Sequence, residues 1–428
     1  MKIKVILVFL LFTLALKGQT DSIDLEKCRA LTIERYPLTS DIDKNLETSQ
    51  LKIQNIKTIY YPSLNLTGQY IHLADVPHLA VENPLFTIPV VGKDQYKIML
   101  EARQIIYDGG LSKRMKELET ANLSVENQDV KVKLYGLNNQ VNDVYFMILL
   151  FQEQEKLLKL TRYNLHEQLK VVESGVRNGV LLPGDADVVK AEILKLDQKT
   201  AELHAGRSSG IEILSELMDS VLNEDITLIM PEIGPLNSEE KIIRPEYELL
   251  QYQSEKLDKA NRLNTAYRFP YLGLFGQFGY GYPGQNMLED KANIIYTFGV
   301  NLSWNIWDWG KVKREKQINH VIQDKISTQR EVFDKNLRIA INKESSNISK
   351  LDKTIESDKE IIALRERITK AKESQLQNGV ITSSEYIVEL NAETQAKINM
   401  QLHEIQRLQA TVNRSTLAGN IVANQHNE

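Results

Sequence analysis

The chain has 428 residues, 42% of them hydrophobic and 25% charged, which is apolar material for two or three ordinary domains. A formal charge of -5 offers no basic field for nucleic acid, and 11 prolines with 7% aromatics argue against a disordered chain. The single cysteine, Cys28, excludes an intrachain disulfide.

Lys2 and Lys4 precede an apolar run from Val5 to Leu16, too short to span a bilayer, and Gly18-Gln19 follows as a cleavage site. Residues 1–18 therefore read as a signal peptide, and the rest as an exported protein. Cys28 ends Leu25-Glu26-Lys27-Cys28, which has a lipoprotein cysteine's leucine spacing but two charges where small residues belong. No later segment reaches the ~18 apolar residues of a membrane helix.

After Tyr61, Pro62 marks a change from helix to strand, because proline fixes φ and lacks the N–H a helix needs. Leu64, Leu66 and Tyr70 then alternate with Ser63, Asn65, Thr67 and Gln69. A second alternating run, Tyr96 to Ile106, places Ile98, Leu100 and Ala102 on one face and Lys97, Glu101 and Arg103 on the other. Asp108, followed by Gly109 and Gly110, reads as the N-cap where strand gives way to helix. A long helix is predicted from Leu111 to Val176, with Val141, Val144, Ile148 and Leu149 on its apolar seam. It ends at Asn178-Gly179-Val180, where Gly179 supplies a positive φ, and the chain returns through Asp187 to Leu203.

The whole pattern then recurs. Ile105–Arg114 aligns with Asn305–Arg314 at a shift of 308 − 108 = 200, and Asn178-Gly179-Val180 aligns with Asn378-Gly379-Val380 at the same shift. Upstream the shift is 270 − 62 = 208, so the connection between the two strands is longer in the first copy. A period of about 200 residues is too long for a solenoid unit and indicates two copies of one domain. The expected division is a first repeat at 19–222, a linker at 223–244 and a second repeat at 245–428.

In the second copy Pro270 opens a strand with Leu272, Leu274, Phe278 and Tyr280 on one face. The next strand is predicted over Ile294–Ile306, its even positions Tyr296, Phe298, Val300, Leu302, Trp304 and Ile306 apolar. Asp308 and Gly310 repeat the junction. A helix from Lys311 to Asn378 carries a narrow seam of Ile318, Ile322, Leu337, Ile341, Ile348, Leu351, Ile355 and Ile362. At 1.5 Å per residue it is on the order of 100 Å long. It returns through Glu385 to Leu417.

Runs of about ten alternating residues with aromatics at their ends suit tilted strands crossing a bilayer. Four strands cannot close a membrane barrel, so two, three or four copies would have to share one. The expected fold is thus long helical hairpins joined to strands of a shared barrel. No catalytic constellation is present: the seven histidines lack paired metal spacing, and there is no phosphate loop or nucleophile motif. No cofactor or enzymatic activity is indicated.

Several fragments, in order and duplicated, resemble the TolC-like outer-membrane efflux proteins. These are Ile23 to Leu31, Tyr60-Tyr61-Pro62-Ser63-Leu64-Asn65-Leu66, Asn142-Asp143-Val144-Tyr145-Phe146, Arg244-Pro245-Glu246 and Leu417-Ala418-Gly419. The resemblance spans essentially the whole mature chain. It implies a homotrimer in outer-membrane lipid, with a twelve-strand β-barrel and a twelve-helix α-barrel in the periplasm. It further implies a periplasmic adaptor (membrane fusion) protein and an inner-membrane pump as partners, in efflux or type I secretion. On that resemblance Asn178, Gly179, Val180, Asn378, Gly379 and Val380 are the docking tips, and Asp185 and Glu385 match acidic positions near the constriction. Ile381 and Val388 depart from the family pattern, standing where its best-known member has Arg and Asp, so closure is expected to rest more on apolar contact. A periplasmic adaptor is the alternative, but it would show one hairpin and a glycine-rich β-domain. A nonspecific porin would lack the long helices.

Overall fold

A computed structural model describes residues 22–76, 90–232, 242–286 and 289–420. The expected signal peptide and most of the longer strand connection of the first half lie outside the described residues. The chain runs β1 (Ser22–Ile23), α1 (Leu25–Arg35), α2 (Ser40–Lys57), β2 (Ser63–His72), β3 (Asp94–Tyr107), α3 (Leu111–Arg177) and α4 (Pro183–Leu217). It continues with β4 (Thr227–Leu228), α5 (Pro245–Ala266), β5 (Tyr271–Tyr282), β6 (Asn293–Ser303), α6 (Lys311–Gln377) and α7 (Ser383–Ala418). Both α3 and α6 have 67 residues. The chain forms two compact units, one of residues 41–129 and 247–330, the other of the remaining segments.

The first unit holds an antiparallel sheet in the order β2-β3-β5-β6. Its register sorts the side chains by chemistry. Leu66, Leu100, Phe278 and Tyr296 lie opposite one another across all four strands, as do Gly68, Ile98, Tyr280 and Ile294. One residue along, on the other face, the row is Asn65, Glu101, Gln277 and Thr297. There Glu101 accepts from Arg103 at 2.6 Å and from Gln277 at 3.2 Å. The apolar face is uncovered: Leu66, Phe278, Tyr296, Phe298 and Val300 are all exposed. In water such a face would forgo roughly 1.5–3 kcal/mol per large side chain. Among the described residues β2 pairs only with β3 and β6 only with β5, so two long edges stand open.

The sixth strand ends earlier than its alternation suggests. Its ladder with β5 stops at the Tyr271–Ser303 pair, because Pro270 directly precedes the partner strand and has no N–H to extend it. Trp304 and Ile306 therefore lie beyond the strand. Around the sheet's helical connections α2 lies beside α3, with Lys52 Nζ 3.1 Å from Glu119, and α5 lies beside α6. In the second pair Asn319 donates to Asn261 at 2.7 Å and Gln323 to Ser254 and Asp258. These polar positions take the inner face, which turns the seam residues Ile318 and Ile322 outward to exposed positions. Farther along, Leu337, Leu351 and Ile355 are buried as the seam requires, with Ile341, Ile348 and Ile362 partly so.

In the second unit α3 and α4 form one hairpin and α6 and α7 another. Val141, Tyr145, Phe146, Ile148 and Leu149 pack against Cys28 of α1, Ile211 and Leu214 of α4 and Ile405 and Val412 of α7. Burial pushes the Cys28 thiol up to about 12, with Asp24 adding to the shift, so it is an inert core residue. β1 and β4 form a two-residue parallel pair, and Gln152 brackets it by bonding both the N–H and the C=O of Leu228. The first return helix reaches Leu217, well past the expected Leu203.

The buried Arg29 donates to Asn142 Oδ1 at 2.6 Å and Thr416 Oγ1 at 2.9 Å, tying α1, α3 and α7 together. Desolvation lowers its pKa, and the nearby C-terminal end of α7 offsets part of the cost of burying that charge. At the helix end Gly419 has φ 84°, and a Cβ there would lie 1.8 Å from Ile243 O. Only glycine fits.

Candidate functional site

The two helix turns are built alike. Val180 N–H donates to Gly175 O at 2.9 Å and Gly179 N–H to Val176 O at 3.1 Å. Val380 N–H donates to Gln375 O at 2.9 Å and Gly379 N–H to Leu376 O at 2.9 Å. This double bond pattern is the Schellman motif, which needs a left-handed residue at its fifth position. Gly179 (φ 74°) and Gly379 (φ 71°) supply it. Asn178 and Asn378 precede them, and Asn378 Nδ2 also donates to Ser374 O at 2.8 Å. The turns touch each other: a Cβ at Gly379 would lie 3.2 Å from Val180 Cγ1.

Asp185 joins them by charge-assisted bonds. One carboxylate oxygen accepts its own turn's Leu182 N–H at 3.0 Å, and the other accepts Ser383 N–H, at the start of α7, at 2.8 Å. It thus caps two helices in two hairpins. Thr382 Oγ1 adds a cap to α7 by accepting Glu385 N–H at 3.3 Å. The Glu385 carboxylate is exposed and 3.9 Å from Lys372 Nζ, so its charge is partly answered within the chain. Ile381 is partly buried against the core that holds Leu376, Tyr386 and Ile387, whereas Val388 is exposed. Of the two residues expected to provide apolar closure, Val388 alone is presented at the surface.

Interhelical ion pairs Arg365–Glu389 at 2.9 Å and Glu366–Lys397 at 2.8 Å run up the second hairpin from the turn, and His403 Nδ1 lies 2.6 Å from Asp358 Oδ2. Each is partly exposed and contributes modestly. A cavity of about 460 Å³ lies between the ends of α3 and α6, lined by Gln168, Val172, Gly175, Val180, Leu181 and Leu376. Gln168 is 5% exposed, and its amide nitrogen has no partner among the described residues.

The junction residues form a second matched pair. Pro62 and Pro270 immediately precede β2 and β5. Asp108 accepts from Gly110 N–H and Ser112 N–H, at 2.9 and 2.7 Å, and Asp308 from Gly310 N–H and Val312 N–H, at 2.9 and 3.1 Å. These carboxylates cap from two residues farther out than an ordinary N-cap, because a left-handed pair intervenes. That pair is Gly109–Gly110 in the first half and Trp309–Gly310 in the second. Gly109 packs against Phe269, where a Cβ would lie 2.6 Å from the Phe269 Cβ. The hydrogen bond from Val312, the largest cause, together with that from Gly310 and the charge of Arg268, holds the Asp308 carboxyl below the usual range.

The double role of Asp185 and the unpartnered Gln168 are visible only in three dimensions. The Thr382 cap was readable: Thr382-Ser383-Ser384-Glu385 has the Thr-x-x-Glu spacing of a capping box. Among the described residues no cluster of His, Cys, Asp and Glu could hold a metal ion, and no helix is long and apolar enough to cross a membrane.

No protein-family model and no curated protein matches the chain. Solved structures do. The outer membrane protein VceC from Vibrio cholerae aligns at TM-score 0.63 and 12% identity, over 92% of this chain and 96% of that one. The outer-membrane channel OprN aligns at 0.65 and 15%, over 92% and 90%. The open state of the Neisseria gonorrhoeae outer membrane channel MtrE aligns at 0.63 and 16%, over 93% and 89%. With two long helical hairpins and a four-stranded amphipathic sheet matched over nearly the full length, the chain has the TolC-like fold of these outer-membrane channels.

Proposed function

We propose that the chain is one subunit of a homotrimeric outer-membrane duct that conducts substrates passively from an inner-membrane pump, through a periplasmic adaptor, to the exterior. The observation that carries this reading is the sheet: apolar on one face, polar on the other, and open at both edges. Unpaired strand edges are not tolerated in lipid, and pairing β6 of one copy with β2 of the next satisfies both. Four strands from each of three copies make a barrel of twelve, with Glu101, Arg103 and Gln277 toward its lumen. The matched halves fit a duplicated domain, with repeats at 19–222 and 245–428.

On this reading the turns at Gly179 and Gly379 are the docking tips. The cavity beside them would accept an apolar adaptor side chain, while Gln168 donates to an adaptor carbonyl. Glu385 and Val388 would line the mouth, and Asp185 would hold the two tips of each subunit together. Purified protein in planar bilayers should give discrete conductance steps with a linear current–voltage relation. A folded oligomer that inserts and passes no current would overturn the proposal.

A further inference from the structure

We propose that the junction between β6 and α6 is a binding surface for anionic phospholipid at the helix-side face of the bilayer. This rests on the membrane placement proposed above and adds a preference for one lipid charge. All three tryptophans of the chain fall within this junction: Trp304, Trp307 and Trp309. They are 56%, 70% and 79% exposed. Trp304 Nε1 donates to Arg268 O at 3.0 Å, and Trp307 and Trp309 meet edge to face at 5.9 Å. Indoles so exposed at a strand's end suit the level of lipid headgroups.

Lys311, Lys313, Arg314 and Lys316 are exposed and follow within seven residues of Trp309, in a protein of net charge -5. The first half carries Lys113, Arg114 and Lys116 at the matching places, and Lys311 adds a fourth cation here. Among the described residues none of the four makes an ion pair. Arg314 bends back to donate to Trp309 O at 2.8 Å, which holds its guanidinium at the backbone of the junction. The first turn of α6 contains no acidic residue, so the cations stand where the helix dipole disfavours them. Asp308 accepts from the N–H groups of Gly310 and Val312, and one carboxylate cannot also neutralise four side chains. A negative phosphate at headgroup depth answers both features. It meets the cations, and its acyl chains lie along the apolar face that begins at Leu302 and Val300. Attraction of about 1 kcal/mol per basic residue near an anionic surface corresponds to roughly fivefold lipid enrichment.

Because every tryptophan lies at this junction, their fluorescence reports on it alone. The full-length oligomer would be reconstituted in phosphatidylcholine vesicles carrying equal fractions of brominated phosphatidylglycerol or brominated phosphatidylcholine. The brominated anionic lipid should quench several-fold more strongly. Combined Lys311→Gln, Lys313→Gln and Lys316→Gln substitution should bring the ratio to about one, and the corresponding arginine substitutions should keep it. Equal quenching by both lipids in the unaltered protein would overturn the proposal while leaving the membrane placement intact. No quenching by either would overturn the membrane placement and the proposal with it.

Discussion

Arginine at Val300 is expected to abolish most assembly of the barrel, whereas arginine at the adjacent Asn301 is expected to be tolerated. Val300 is 63% exposed and pairs with Leu274 on the apolar face. Asn301 pairs with Gly273 on the face that carries Gln277 and Glu101. The two positions are adjacent on one strand and differ in the face of the sheet they occupy. Near the middle of a bilayer an outward arginine costs about 2–4 kcal/mol, while a lumenal one stays hydrated. Such a cost is a large part of a marginal stability. The yield of folded oligomer in outer-membrane fractions measures it. Equal losses at both positions would show that the faces have been assigned wrongly.

Asp185→Ala is expected to loosen both helix turns at once. It removes two charge-assisted bonds, to Leu182 N–H and Ser383 N–H, and each cap of this kind contributes about 0.5–2 kcal/mol. The sum, about 1–4 kcal/mol, is a factor of roughly five to several hundred in local opening. Amide hydrogen exchange should therefore speed up at Ser383 as well as at Leu182, although Ser383 belongs to the other hairpin. Exchange at Leu149, deep in the other core cluster, should stay unchanged. Glu385→Gln is the control, since the α7 cap comes from Thr382 and Asp185 and its loss touches only the Lys372 contact at 3.9 Å. Unchanged exchange at Ser383 in the Asp185 variant would remove the link between the hairpins.

Much of this architecture was legible because its signals are local and periodic. Alternation over Leu64–Tyr70 and Ile294–Leu302 set the strand faces, since a period of two leaves one assignment of apolar and polar side. The positive-φ requirement at Gly179 and Gly379 marked the turns, and Pro62 and Pro270 marked where strands begin. What escaped depends on partners. The end of β6 at Ser303 is fixed by Pro270, directly before the neighbouring strand, which the alternation through Ile306 cannot sense. Ile318 and Ile322 fit the helical seam, yet Asn319 and Gln323 take the contact with α5, because polar groups that find hydrogen bonds compete with apolar ones for an inner face. The resemblance set Asp185 near the constriction, and its further bond to Ser383, spanning 198 residues of chain, has no sequence signature. Trp309 took a left-handed conformation that glycine occupies in the first half, held by the same aspartate cap.

The central claim is that the open edges of β2 and β6 close only between copies of this chain. The mass of the purified particle, corrected for bound detergent, tests it most directly. A single species of three chains is the predicted result. A monodisperse monomer that keeps its strands would contradict it.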